Sequence, residues 1–201
     1  MKTIIRTFAL CFTSFCLAAT PLLAADDMKM EKNASMTESL RPLKGKEFEA
    51  AFLQEMIKHH GSAKDMASLA ETNAESPEVK KLAANIVTKQ KAEIVQMTGW
   101  LKSWYGQEPM PPMSMGDMKD HEAMMKMDAS MKEMLAKLEA AKGAKFDQMF
   151  LQMMSTHHKE ALEMAQLVEG RAEHDDLGKL AKTIIADQKK EIAEMESMLK
   201  S

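Results

Sequence analysis

The chain of 201 residues contains itself twice. Aligned on itself at an offset of 98 residues, without a gap, it is identical at 24 of the 54 positions from Phe48 to Leu101. Phe52-Leu53-Gln54 recurs as Phe150-Leu151-Gln152, and Met56-x-x-His59-His60 recurs as Met154-x-x-His157-His158. Ala63, Met66 and Ala67 return as Ala161, Met164 and Ala165. Further on, Leu82, Ile86, Gln90, Glu93, Ile94 and Met97 return as Leu180, Ile184, Gln188, Glu191, Ile192 and Met195. Solenoid repeats run to about 20–45 residues, so this period marks a duplication into two halves with the same buried faces.

Each half reads as a helical hairpin. Phe48, Phe52, Met56, His59, Ala63, Met66 and Ala70 step by three and four residues, the stripe of a buried helix face. Ser76-Pro77-Glu78 then supplies an N-cap, a proline at the first helical position and a first-turn acid, opening a second helix that runs to about Tyr105. The second half repeats this from about Phe146 to Leu199, with His174-Asp175-Asp176 at the corresponding turn. Tight turns make neighbouring helices antiparallel, so the two hairpins predict an all-α, four-helix bundle over 45–201. Eight Gly and six Pro are too few for a turn-rich all-β fold.

Outside the hairpins at 45–105 and 144–201 lie three other segments. Residues 1–25 have the layout of a secretory signal peptide: Lys2 and Arg6, an apolar run from Phe8 to Leu23, then Ala24-Ala25. That run is short for a membrane span, which needs about 20 apolar residues. Residues 26–44 show no period and are expected to form a flexible tail. Residues 106–143 form a linker with Pro and Gly at its start, followed from Asp117 to Ala141 by an expected extra Met-rich helix.

Both cysteines, Cys11 and Cys16, fall inside the signal segment. The mature chain would then have no thiol, which excludes disulfides, thiolate metal sites and cysteine nucleophiles together. A formal charge of −3, moving to −5 once Lys2 and Arg6 are lost, argues against nucleic acid as a partner. The composition departs from the ordinary at methionine, with 22 residues.

On a helical wheel His59 falls near the centre of the apolar stripe, with Met66 about 20° to one side and Met56 about 60° to the other. The hairpin geometry brings Gln90, Glu93 and Met97 to about the height of His59 on the return helix. The duplication adds His157, His158, Met154 and Met164, with Gln188, Glu191 and Met195. A single Met stripe is ordinary core filler and a lone inward His is an ordinary core residue. Four imidazoles inside one small bundle cost desolvation energy that a metal would offset. The candidate metal ligands are therefore Met56, His59, His60, Met66, Met154, His157, His158 and Met164, with Met97 and Met195 as weaker candidates. Gln90 and Gln188, and beside them Glu93 and Glu191, are cast as partners that orient the imidazoles.

Thioether and imidazole without thiolate suit Cu(I) and, by similar softness, Ag(I), while imidazole also holds Cu(II). Zinc would prefer Cys, His and carboxylate. A di-iron oxidase bundle needs Glu-x-x-His, and here the residue three before His59 is Met56 and three before His157 is Met154. The linker carries a second soft-ligand signal in Met110, Met113, Met115, Met118 and His121; the prolines of its first part rule out simple helix core there, and the alternative is a Met-rich amphipathic segment docking on the bundle or a partner.

The duplicated Phe-x-x-x-Met-x-x-His-His-x-x-Ala-x-x-Met-Ala pattern behind a signal peptide resembles the domain-of-unknown-function family 305. The resemblance implies an exported, ferritin-like four-helix protein, with copper binding and copper tolerance known for some members. At the matching positions it implies copper ligands at Met56, His59, His60, Met66 and their copies. The expectation is a periplasmic copper-binding protein for sequestration, tolerance or transfer, with no catalytic residues and a copper-handling protein as a further partner. Its rivals are a metal-dependent oxidase on the same bundle and a metal-free, Met-rich helical adaptor or chaperone.

Overall fold

The computed structural model describes residues 34–109, 133 and 135–200, and among these the secondary structure is helical with no strand. The elements are α1 (Ala34–Leu40), α2 (Gly45–Asn73), α3 (Pro77–Tyr105), α4 (Gly143–Gln166) and α5 (Asp175–Met198), with residues 135–140 also helical. The fold is all-α, as the periodicity requires. The signal segment, residues 26–33 and the linker residues 110–132 lie outside the described residues. No described helix is long and apolar enough to cross a membrane.

The predicted start of α3 is realised in detail. Glu78 N–H and Val79 N–H donate to Ser76 Oγ at 3.1 and 3.3 Å, and Pro77 occupies the first turn, where a missing N–H costs nothing. The second hairpin solves the same problem differently. His174 makes no side-chain cap, and α4 stops five residues short of its copy in α2, closing through a turn at Gly170 (φ 69°) where the first half has Thr72.

What fastens the halves together is a reciprocal pair of carboxylates. Glu49, near the start of α2, is fully buried and accepts from Glu173 N–H (2.8 Å), His174 N–H (2.7 Å), His174 Nδ1–H (2.7 Å) and the Tyr105 hydroxyl. Its copy Asp147, near the start of α4, accepts from Glu75 N–H (2.9 Å) and Ser76 N–H (2.8 Å). Each hairpin therefore caps the turn of the other, and α2 and α4 run antiparallel. The His174 ring lies flat on Trp104 at 3.9 Å, which explains why an imidazole stands where the first half has Ser76.

The flexible tail expected over 26–44 is corrected at its C-terminal end. Thr37 and Leu40 share one face of α1 and are buried, Leu40 completely. Arg171 holds the segment down by donating from Nη1 to the carbonyls of Arg41 and Leu43. Leu138, in the helical stretch that closes the linker, is likewise fully buried against the bundle.

The apolar interior is divided in two. One core gathers Phe48, Phe52 and Leu53 with Leu177 and Ile184; the other gathers Phe146, Phe150 and Leu151 with Val79 and Ile86. Burying one such Phe or Leu contributes roughly 1.5–3 kcal/mol. Between the cores lies a polar layer.

Burial alone would raise the Glu49 carboxyl, but donors from His174, Tyr105 and Glu173 hold it below the usual carboxylate value. The charged form is therefore favoured by folding. Its stabilisation is complete above about pH 4.5 and is lost as pH falls through the lower folded value. Urea denaturation of Glu49→Ala at pH 7 is expected to show a loss of about 3 kcal/mol, since several donors lose their acceptor. Below pH 4.5 the gap between variant and wild type should narrow.

Candidate metal centre

The polar layer is where α2 and α4 cross. His59 and His157, copies of one another, stack with ring centroids 3.7 Å apart and planes inclined by 36°. His60 and His158 stand beside them with no exposed surface. Gln90 and Gln188 complete the layer from α3 and α5, both buried.

The imidazoles are oriented by carboxylates. His60 Nε2 lies 2.7 Å from Glu93 Oε2, and His158 Nε2 lies 2.8 Å from Glu191 Oε2. Gln90 and Gln188, assigned the same part, make no hydrogen bond through Oε1. The reason is geometric, because Glu93 and Glu191 sit level with the second His of each pair. Burial raises the Glu191 carboxyl, but His158 and Lys89 together bring it below the ordinary value. Lys89 Nζ donates to Glu191 Oε1 at 2.9 Å and lies 3.4 Å from Asp187 Oδ2.

Proton bookkeeping fixes three tautomers. A carboxylate only accepts, so His60 and His158 must each donate from Nε2. Ser62 has one hydroxyl proton and donates it to the His59 carbonyl at 2.8 Å. The 2.7 Å contact between Ser62 Oγ and His157 Nε2 must therefore be an Nε2–H donated by the histidine. In the neutral form each of the three rings keeps its lone pair on Nδ1, and none of these atoms has a partner. His59 lacks a hydrogen bond at either nitrogen; its Nε2 stands 3.5 Å from Glu160 Oε2 without bonding geometry.

Burial first, and then the proximity of His60 and His158, hold His59 well below the ordinary histidine value. Burial and the neighbouring His59, His158 and His60 do the same to His157. Both rings are neutral at pH 7, each with one N–H and one free lone pair, the form in which imidazole binds a metal.

The thioethers flank this layer. All six predicted inward methionines are buried, and they sort by core: Met56, Met97 and Met164 in one, Met66, Met154 and Met195 in the other. Met56 and Met66 are about 15 Å apart along α2, so they serve opposite sides of the layer. Each core thus draws three of these thioethers from both hairpins, and the second also holds Met153. Among the described residues no three His, Asp or Glu side chains form a metal-binding group on their own. Met110, Met113, Met115, Met118 and His121 lie outside the described residues.

The donor set fits a soft cation. Six buried acceptors, Nδ1 of His60, His157 and His158, one nitrogen of His59 and the two Gln Oε1 atoms, have no donor. An unmet buried polar group costs about 1–3 kcal/mol, and a cation satisfies acceptors as a further donor would. Ser62 and Lys89 escaped the sequence reading because their copies are Glu160 and Asp187. Alignment of the halves displays identities and hides exchanges. The signal for Ser62 was its position, three residues after His59 on the same helix face.

The domain of unknown function DUF305 matches residues 20–94 and 49–199. No curated relative matches the chain. Among solved structures, CopM in its Cu(II)-bound form is similar at 34% identity, covering 76% of this chain and 95% of that one with a TM-score of 0.63. CopM in its Cu(I)-bound form gives 32% identity over 76% and 95%, with a TM-score of 0.61. A DUF305 fragment from Deinococcus radiodurans gives 30% identity over 75% and 94%, with a TM-score of 0.63. The pattern that spans both hairpins and the shared bundle lead to one conclusion: this chain belongs to the DUF305 family.

Proposed function

We propose that this chain is an exported copper-binding protein that holds Cu(I), and also Cu(II) and Ag(I), for sequestration or transfer without catalysing a reaction. The observation that carries the reading is the surplus of unpartnered lone pairs in a buried imidazole layer flanked on both sides by thioethers. Structures of CopM with Cu(II), Cu(I) and Ag support it. The imidazoles bind either copper oxidation state, and the thioethers favour the soft monovalent ion at any pH. Glu93, Glu191 and Ser62 keep Nε2 protonated and leave Nδ1 as the coordinating atom.

Export to the periplasm rests on the layout of residues 1–25. A compartment that oxidises thiols gives a reason for a copper site made without cysteine.

Titration of the mature protein with Cu(I) against a competing chelator is expected to give tight binding of at least one equivalent. Affinity should fall at least about a hundredfold when His59, His60, His157 and His158 are all changed to Ala. Unchanged affinity in a variant that circular dichroism shows to be helical would sink the bundle site. Changing Glu93 and Glu191 to Ala removes no ligand and should weaken binding about ten- to a hundredfold, by freeing the rings to turn.

The tautomers give a test that needs no metal. In the metal-free protein, nitrogen NMR of ring-labelled histidine should find His60, His157 and His158 protonated at Nε2. A dominant Nδ1–H form at any of the three contradicts the assignment.

A further inference from the structure

The two halves of the imidazole layer differ in one respect that their identical residues conceal. Position 89 is Lys and its copy, position 187, is Asp. Both side chains end up on the same side of the layer. Lys89 closes over Glu191, whose two oxygens are then used: Oε2 by His158 and Oε1 by Lys89. Glu93 bonds His60 through Oε2, and among the described residues its Oε1 has no hydrogen-bond partner and no lysine or arginine within ion-pair distance. The Glu93 side chain is 13% exposed and that of Glu191 6%.

An open cavity of about 490 Å³ adjoins Glu93, and α3 and α5 form its walls. Trp100 and Gln96 line it from α3, with Asp176, Lys179 and Thr183 from α5. Asp176 and Lys179 are paired at 2.8 Å and largely cancel. The charge left facing this cavity is the Glu93 carboxylate.

We propose that copper reaches and leaves the buried imidazoles through the groove between α3 and α5, with Glu93 as the carboxylate that meets the cation and His60 as the first imidazole behind it. This rests on the copper-binding reading above. A cation leaving water needs compensating charge at the point where it sheds its shell, and Glu93 supplies it with a free oxygen. On the other side Lys89, paired also with Asp187 at 3.4 Å, occupies the corresponding carboxylate oxygen, so Glu191 offers an arriving cation no free one. The duplicated layer therefore has one door, although its ligands are doubled.

Stopped-flow transfer of Cu(I) from a coloured chelator complex tests the route. Thr183→Trp fills the groove from an exposed helix position and touches none of the ligands. Loading of this variant is expected to slow about tenfold, with equilibrium affinity unchanged within twofold. Val95→Trp places the same bulk on an exposed α3 position and should load at the wild-type rate. Lys89→Met should load faster. If wild type binds Cu(I) tightly and Thr183→Trp loads as fast as wild type, the route is overturned while the copper site stands. If wild type does not bind Cu(I), the site reading fails and the route with it. The metal-free protein gives a separate reading. The His60 Nε2–H should exchange with solvent at least about tenfold faster than that of His158, and equal rates would overturn the asymmetry.

Discussion

Glu49 and Asp147 set the register on which everything else depends. Each is a carboxylate at the start of one hairpin that takes up the free backbone N–H groups at the turn of the other. Backbone donors at a helix entrance have no intrahelical acceptor, so a buried carboxylate there meets a fixed demand at a fixed place. Two such clamps, about a helix length apart and related by the duplication, leave α2 and α4 little freedom to slide. With both ends pinned, the midpoints must meet. The midpoints are His59 and His157, stacked at 3.7 Å.

A layer of four buried imidazoles is a poor way to build a core. Hydrophobic residues of similar volume would fill the space without desolvation cost, and the layer splits the apolar interior into two smaller pieces. Burial and mutual proximity keep the His59 and His157 rings neutral, and three of the four rings commit an Nε2–H to an acceptor. What remains is a concentration of lone pairs. Stability has been traded for a set of acceptors that no residue of the layer satisfies, which is the pattern of a binding site and not of a structural polar network.

Much of this was legible in the sequence, and the limits were physical. Periodicity gave the hairpins because a buried helix face must repeat at about 3.6 residues, whatever it binds. Ser76-Pro77 announced its helix because capping is local. Glu49 announced nothing, since its partners lie 124 and 125 residues away, and a carboxylate in a first helical turn looks like an ordinary dipole partner. The same limit misplaced the orienting role. Gln90 stood out as a polar residue on an apolar stripe, with Glu93 placed beside it at the same height; only the packing of α2 against α3 decides that Glu93 is the one that reaches His60. Thr37 and Leu40 lack the length of pattern that distinguishes a docked helix from a tail, so α1 could not be read.

Duplication explains both the order of the layer and its asymmetry. Two copies of one hairpin can share a core only about a two-fold axis, and residues near that axis meet their own copies. Constraint is strongest there: His59 faces His157, and neither can change without altering its own contact. Away from the axis the copies face different neighbours, and they have diverged. Ser62 became the acceptor for His157 while its counterpart Glu160 stands 3.5 Å from His59; Lys89 and Asp187 became a cation and an anion on one side of the layer. Charge reversal at one pair of positions is enough to make one carboxylate locked and the other free. A symmetric site would let a bound ion exchange with solvent through two equivalent faces. Under the proposed route, loading and release share the one groove beside Glu93, and the duplicated ligands of the layer stay unaltered.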